Sequence, residues 1–318
     1  MSTGPTFSFA TTADDVATAF LDEIKGKDVL ITGTSLKGIG FEAARVIAKY
    51  ANRVIITGYN AKRLKLSEEA IKKETPQANI YSLVLDLSSF ASVRKAAAEI
   101  NAQPEPLHVL INNAASSFVD FKLTVDGLET QLATDHVGPF LFTKLLAPKL
   151  LASATPTYTP RVVFVASAAQ GFGTGVDFDA LENPDPAKYS KQSAYGQAKS
   201  ANVLTAIELS KRSKGKINAY IIFTNIFEKE NSIPTLQGFG ALGADKKPNT
   251  EHPWKTIPQG AATTVAAAFD PRLNDKPGAY LDNSTVADNL LAPHSSDPVN
   301  AEKLWNITEK IIGETFVF

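Results

Sequence analysis

From residue 27 onward, short apolar runs alternate with longer stretches of helical period. The runs 28–32, 53–57, 81–85, 108–111, 161–165, 217–223 and 279–281 are rich in Val, Ile and Leu and are bounded by polar residues or glycine. Between them, 41–51, 61–73, 90–102, 128–151, 195–212 and 261–269 read as helices. Apolar runs without polar alternation predict strands buried on both faces, hence a parallel sheet. Strand–helix repetition with right-handed crossovers then predicts a three-layer, doubly wound α/β domain over 27–318. Residues 1–26 read as a helical extension: Thr12 and Asp15 form a capping box, and Val16, Phe20 and Ile24 share one apolar stripe. Residues 228–260 break the rhythm with prolines and glycines, which predicts a lid or substrate loop. Phe239, Leu242 and Trp254 in that stretch suit either an apolar ligand or the core.

Composition narrows the function by exclusion. The 318 residues carry a formal net charge of -1, which offers no field for nucleic acid or an anionic membrane. The cluster Lys211, Arg212, Lys214 and Lys216 falls where a helix should end, so it reads as a solvated terminus. Without cysteine there is no disulfide, thiol nucleophile or cysteine-metal site, which suits a reducing compartment such as the cytoplasm. Asp14, Asp15, Asp22 and Glu23 interrupt the first 26 residues, so no signal peptide is expected, and no apolar run reaches the length of a membrane span. The histidines at 108, 136, 252 and 294 lack metal-ligand spacing.

The first strand runs directly into Thr32-Gly33-Thr34-Ser35-Leu36-Lys37-Gly38-Ile39-Gly40 and then a helix. Glycines there permit a tight turn and close approach of a pyrophosphate to the free N–H groups of the helix start. Gly33 and Gly38 have P-loop spacing, but Ile39-Gly40 replaces the Lys-Ser/Thr that phosphoryl transfer needs. After the second strand the sequence reads Gly58-Tyr59-Asn60-Ala61-Lys62-Arg63, without the acid that usually binds the ribose hydroxyls of NAD. Lys37, Lys62 and Arg63 offer cations for a 2′-phosphate instead. The expected cofactor is NADP(H).

Tyr195 and Lys199 stand four apart in a helical stretch and so project on one face. Ser167 follows the run 161–165 at the carboxyl edge, where doubly wound sheets bind ligands. A phenol titrates near 10 and is a poor proton donor at neutrality. An ammonium about 4–5 Å away favours its phenolate by roughly 4 kcal/mol at an effective dielectric near 20. Ser167 could then hold a substrate oxygen beside Tyr195. A hydrolase reading, with Ser167 and His136 or His252, lacks a Gly-x-Ser-x-Gly elbow.

The glycine loop, Asp86 after the third strand, Asn112-Asn113-Ala114-Ala115 after the fourth, Ser167, Tyr195 and Lys199 occur in the order of the short-chain dehydrogenases/reductases. The chain resembles that family over nearly all of its length from Lys27, particularly fungal, retinol-dehydrogenase-like members. The resemblance implies a Rossmann-like fold and interconversion of a carbonyl and an alcohol on a small, apolar substrate. It also implies that Tyr195 is the acid/base, that Lys199 assists it and binds the nicotinamide ribose, and that Ser167 orients substrate. The cofactor would rest on Gly33, Ser35, Lys37, Gly38, Ile39, Gly40, Tyr59, Asn60, Arg63, Asp86, Leu87, Asn113, Ala114, Tyr195 and Lys199. A homodimer through the two long central helices is a further possibility that the resemblance raises.

The chain departs from the family pattern at four places. The glycine loop is one residue longer, and Ala115 replaces a glycine. Asp135 stands where the family has Asn; it would accept a hydrogen bond from a water leading to Lys199, yet oppose a phenolate about 8 Å away by roughly 2 kcal/mol. The expected result is an alkaline-shifted Tyr195. Finally, Thr224-Asn225-Ile226-Phe227-Glu228 lacks the family's Pro-Gly after the sixth strand. The last two departures keep a rival open: a Rossmann-fold binding or scaffold protein without turnover, or a non-redox enzyme reusing the pocket.

Overall fold

The computed structural model describes residues 4–224, 233–238, 240, 242–247, 249 and 254–318. Seven strands run parallel: β1 (Asp28–Ile31), β2 (Arg53–Gly58), β3 (Ile80–Val84), β4 (Val109–Asn112), β5 (Arg161–Val165), β6 (Asn218–Ile222) and β7 (Tyr280–Asp282). An eighth, β8 (Thr285–Val286), pairs antiparallel with β7, giving the order β3-β2-β1-β4-β5-β6-β7-β8. Asn283 and Ser284 join these last two strands with φ of 51° and 61°, the two-residue turn whose twist matches a hairpin.

Successive residues of one strand feed opposite faces of the sheet. Val29 and Ile31 enter the apolar layer formed with the helices Ile39–Ile47 and Ile257–Phe269. Leu30 enters the other, formed with Phe90–Asn101, Gly138–Leu151 and Lys191–Ser213. The unalternating apolar runs are thus explained by burial on both sides. The N-terminal extension packs into this core. Thr12 and Asp15 cap the helix Ala13–Ala19 reciprocally, and Val16, Phe20 and Ile24 are buried with the first layer. Asp14 pairs with Arg45 at 2.5 Å and Lys49 at 2.7 Å, fastening the extension to the domain.

Two differences from the expected pattern matter for the site. The stretch expected as one helix over 128–151 is a short helix Thr130–Leu132, a π turn Ala133–Val137 and the helix Gly138–Leu151. A π turn fits one extra residue into the winding, and Pro139, with no N–H to give, follows it. Gly138 lets the junction touch the sheet edge: a Cβ there would lie 2.2 Å from the Leu87 carbonyl oxygen. Second, the helix expected from 195 begins at Lys191, because Ser190 caps it by accepting from the Ser193 N–H.

The C-terminal helix Pro298–Ile312 packs along Lys191–Ser213. Trp305 meets Phe140 edge-on at 4.8 Å between ring centroids, and Phe316 and Phe318 stack beyond it. Glu314 pairs with both Arg94 and Lys144, holding this aromatic tail across the helix Gly138–Leu151. No described helix is long and apolar enough to cross a membrane.

Candidate active site

The sheet order reverses between β1 and β4, and ligands of open parallel sheets bind at such a point beyond the carboxyl ends. The glycine loop leaves β1 there. Gly33 has φ +71°, and a Cβ on it would lie 2.6 Å from the Ala114 Cα. The Asn113 amide donates to the carbonyls of Thr32 and Gly33 at 2.8 and 3.0 Å, while Thr32 Oγ1 accepts from the N–H groups of Asn113 and Ala114. Thr34 bonds the Thr57 carbonyl through both its N–H and its hydroxyl, so the loop rests on β2 as well. Asn113 and Ala114 therefore shape the loop from behind.

The extra residue of the loop is accommodated by Lys37, which takes the left-handed conformation with φ 63°. Gly38 caps the helix Ile39–Ile47 in extended conformation with no side-chain cap, so the first-turn N–H groups of Ile39 and Gly40 remain for an anion. Beside them lies a cleft lined by Ser35, Gly58, Tyr59, Asn60 and Arg63. Lys37, Lys62 and Arg63 are exposed and make no ion pair among the described residues. The Asn60 side chain is committed to capping the helix Ala61–Glu74, where it accepts from the Arg63 N–H. Unspent N–H donors next to free cations suit a nucleotide with a pyrophosphate and a further phosphate. On the same side of β1, past β2, Asp86 is exposed beyond the end of β3 with one oxygen bonded to Ser88, and Leu87 is buried.

Ser167 lies just past β5 as the N-cap of the 3₁₀ turn Ala168–Gly171, its hydroxyl accepting from the Ala169 N–H at 3.2 Å. The helix Lys191–Ser213 carries Tyr195 and Lys199 across that turn. Gly196 permits the approach, since a Cβ there would meet the Ala169 carbonyl and Phe172 at 3.0 Å. Lys199 is 1% exposed; its Nζ donates to the Val165 carbonyl at 3.1 Å and lies 5.3 Å from the Tyr195 ring centre.

Asp135 on the π turn reaches this lysine directly. Its Oδ2 lies 3.4 Å from Lys199 Nζ, and its Oδ1 accepts from the Ser116 N–H at 2.6 Å. The expected link through a water is thus replaced by an ion pair in contact. Burial opposes the Lys199 charge, but the Asp135 carboxylate and then the Tyr195 oxygen outweigh it, holding the ammonium above the ordinary lysine range. The cluster sets a phenol beside a fixed cation, on a helix packed against the turn that Ser167 caps.

Three participants lie outside the expected set. Gly196 and Gly138 act by what they lack, a property that spacing rules do not register. Phe118, whose ring packs on Tyr195 with centroids 4.7 Å apart, stands in a loop that no periodicity marks. In the expected lid, residues 233–238 form a helical turn, Leu242 is buried and Trp254 partly so. Asn225, Ile226, Phe227, Glu228, Phe239 and His252 lie outside the described residues. The sixth strand pairs with β5 in unbroken register to its end, Ile222 standing level with Val165.

The model of the short chain dehydrogenase family matches residues 27–176. A chloroplastic short-chain dehydrogenase of Brassica napus, TIC 32 A, is 37% identical over 317 residues, covering 96% of this chain and 94% of its own. The short-chain dehydrogenase/reductase prx1 of Penicillium rubens is 32% identical, covering 92% and 86%. The chain belongs to the short-chain dehydrogenase/reductase family. A solved structure from Mycobacterium paratuberculosis superposes with a TM-score of 0.70 at 26% identity, covering 93% of this chain and 96% of that one. Membership makes the chain an oxidoreductase that binds a nicotinamide cofactor and acts on a small molecule.

Proposed function

We propose that the protein is an NADP(H)-dependent oxidoreductase interconverting a carbonyl and an alcohol, with Ser167, Tyr195 and Lys199 as its catalytic residues. The observation that carries this reading is the placement of Tyr195 against the buried, charged Lys199 beside the Ser167 turn. NADP(H) supplies the two-electron equivalent that reduces the carbonyl carbon. The chain supplies the proton: the Tyr195 hydroxyl gives it to the substrate oxygen, and the Lys199 ammonium stabilises the phenolate left behind. Ser167 donates a hydrogen bond to the same oxygen and fixes its distance from Tyr195. Asp135 holds Lys199 in position and keeps it protonated, but its negative charge offsets part of the help that Lys199 gives.

NADP(H) rather than NAD(H) is favoured by the absence of an acid at Gly58-Tyr59-Asn60, by Arg63 at the cleft and by Lys37 in the glycine loop, neither of them in an ion pair among the described residues. Ser35, Gly38, Ile39 and Gly40 would hold the pyrophosphate, Tyr59, Asn60 and Arg63 would flank the adenosine ribose, and Asp86 and Leu87 would face the adenine. An apolar substrate suits the ring of Phe118 beside Tyr195. The cytoplasm is the compartment we propose, on the absence of cysteine, and a fungal source on the stretches 194–204 and 259–268. A homodimer through the helices Gly138–Leu151 and Lys191–Ser213 belongs to this reading; the chain's own C-terminal helix packs along the second of them, with Trp305 against Phe140 of the first.

The test is NADPH oxidation by the purified protein with a panel of aldehydes and ketones, against Tyr195→Phe. Turnover that Tyr195→Phe lowers at least a hundredfold is expected. Tight NADPH binding without turnover on the panel would favour the rival, a binding protein on the same fold, to which the Asp135–Lys199 ion pair lends its support.

A further inference from the structure

Phe118 has φ 55°, a left-handed conformation that a bulky aromatic residue seldom adopts. The loop around it is fastened at nearly every second residue. The Ala114 N–H bonds Thr32 Oγ1, the Ser116 N–H bonds Asp135, and the Phe118 N–H donates to Gln131 Oε1 at 2.7 Å. The Val119 carbonyl accepts from the Tyr189 hydroxyl at 2.9 Å. Gln131 is fully buried, and its amide is held in turn by donating to the Tyr189 hydroxyl and the Lys191 carbonyl. With both sides pinned, Phe118 has no slack to relax its backbone. Its ring then packs against Tyr195 at 4.7 Å, inclined by 48°.

Strain persists where the surroundings over-determine it, and it concentrates at sites that use it. Asp135 and Gln131 lie on the same short helix and π turn, so one element fixes Lys199 behind Tyr195 and Phe118 in front of it. We infer that Phe118 is a positioning residue, a strained clamp that holds the Tyr195 ring over Lys199 in its reactive orientation. The inference rests on the reading of Tyr195 as proton donor. It adds that the aromatic ring and its unfavourable backbone are retained together for the sake of that orientation.

Three variants separate the elements of this claim. Phe118→Ala removes the ring and keeps the strain, Phe118→Gly removes both, and Phe118→Tyr keeps both. Phe118→Gly should melt about 2–4 °C above Phe118→Ala. With NADPH and benzaldehyde, both should lose tenfold or more in kcat with the KM for NADPH unchanged, and Phe118→Tyr should stay within twofold of the parent. A readout independent of turnover is the NMR signal of the Tyr195 ring in protein carrying labelled tyrosine, assigned by its loss in Tyr195→Phe. Nuclear Overhauser contacts from that ring to the Lys199 side chain should be present in the parent and in Phe118→Tyr, and be lost in Phe118→Gly and Phe118→Ala. An unchanged contact between Tyr195 and Lys199, or a kcat within twofold in Phe118→Gly, overturns the inference. A parent protein that turns over no carbonyl defeats the reductase reading instead, and the NMR comparison still decides the clamp.

Discussion

The Asp135 carboxylate lies 3.4 Å from the Lys199 ammonium, with both side chains essentially sealed from solvent. Attraction at this distance in a dry site is strong, and removing one partner strands the other charge. Asp135→Asn should move the pH–rate profile for carbonyl reduction about one unit toward acid, since Lys199 then acts on Tyr195 without an opposing charge. Asp135→Ala should cost about 3–5 kcal/mol of stability, read by urea unfolding. A profile that stays in place in Asp135→Asn would show that the ion pair does not bear on Tyr195.

Arg63 lines the cleft, and Lys37 precedes Gly38, the residue at the uncapped helix start; both are exposed and make no ion pair among the described residues. Reversing either charge should weaken NADPH binding by about ten- to a hundredfold, equal to about 1.4–2.7 kcal/mol. NADH, without the extra phosphate, should bind as before. Lys37→Gly separates charge from backbone, because it relieves the left-handed conformation at φ 63° while deleting the cation. It should be about 1 kcal/mol more stable than the parent and still bind NADPH more weakly. Equal losses for both nucleotides would move the 2′-phosphate away from these residues.

A Cβ on Gly40 would lie 2.2 Å from Asn113 Nδ2 and 2.7 Å from the Gly33 carbonyl oxygen. Gly40→Ala should therefore lower stability by about 1–3 kcal/mol and reduce affinity for either nucleotide, as the loop is pushed off Asn113. Gly171→Ala, where the new methyl meets only Ala292 at 3.9 Å, serves as the control and should stay within about 0.5 kcal/mol. Denaturant midpoints for the two variants settle the comparison.

His136 is wholly buried between Thr308 and Thr205, and burial pushes its pKa down to about 3. The unfolded chain takes up this proton below about pH 6.5, but the folded chain does so only near 3. Its contribution to stability is therefore present above 6.5 and lost as pH falls from 6.5 toward 3. Relative to His136→Gln, the parent should lose an extra 1.4 kcal/mol or so per pH unit between about 6 and 4. Parallel stability curves would show that His136 is protonated in the folded protein.

The order of strands and helices was legible because each apolar run is buried on both faces and because capping residues such as Thr12 mark real helix starts. The neighbourhood of Tyr195 and Lys199 was legible, because their spacing fixes a common helical face. What could not be read was contact across the sequence. The Asp135 charge looked like a distant opponent of Tyr195, because only the π turn brings it into touch with Lys199. Phe118 carried no signal at all: its conformation is imposed by Gln131 and Tyr189, far along the chain. Asn113 was legible as part of the cofactor region, but the bonds of its amide to the carbonyls of Thr32 and Gly33 were not. The hairpin at Asn283 and Ser284 and the C-terminal helix escaped because short or amphipathic stretches near the end lack the apolar runs that mark the sheet.

The most direct measurement is a calorimetric titration of the purified protein with NADPH and with NADH. Binding of NADPH at least tenfold tighter than NADH, weakened by Lys37→Glu, is the expected result. Equal affinity for the two, or binding of neither, would contradict the cofactor assignment on which the proposed chemistry depends.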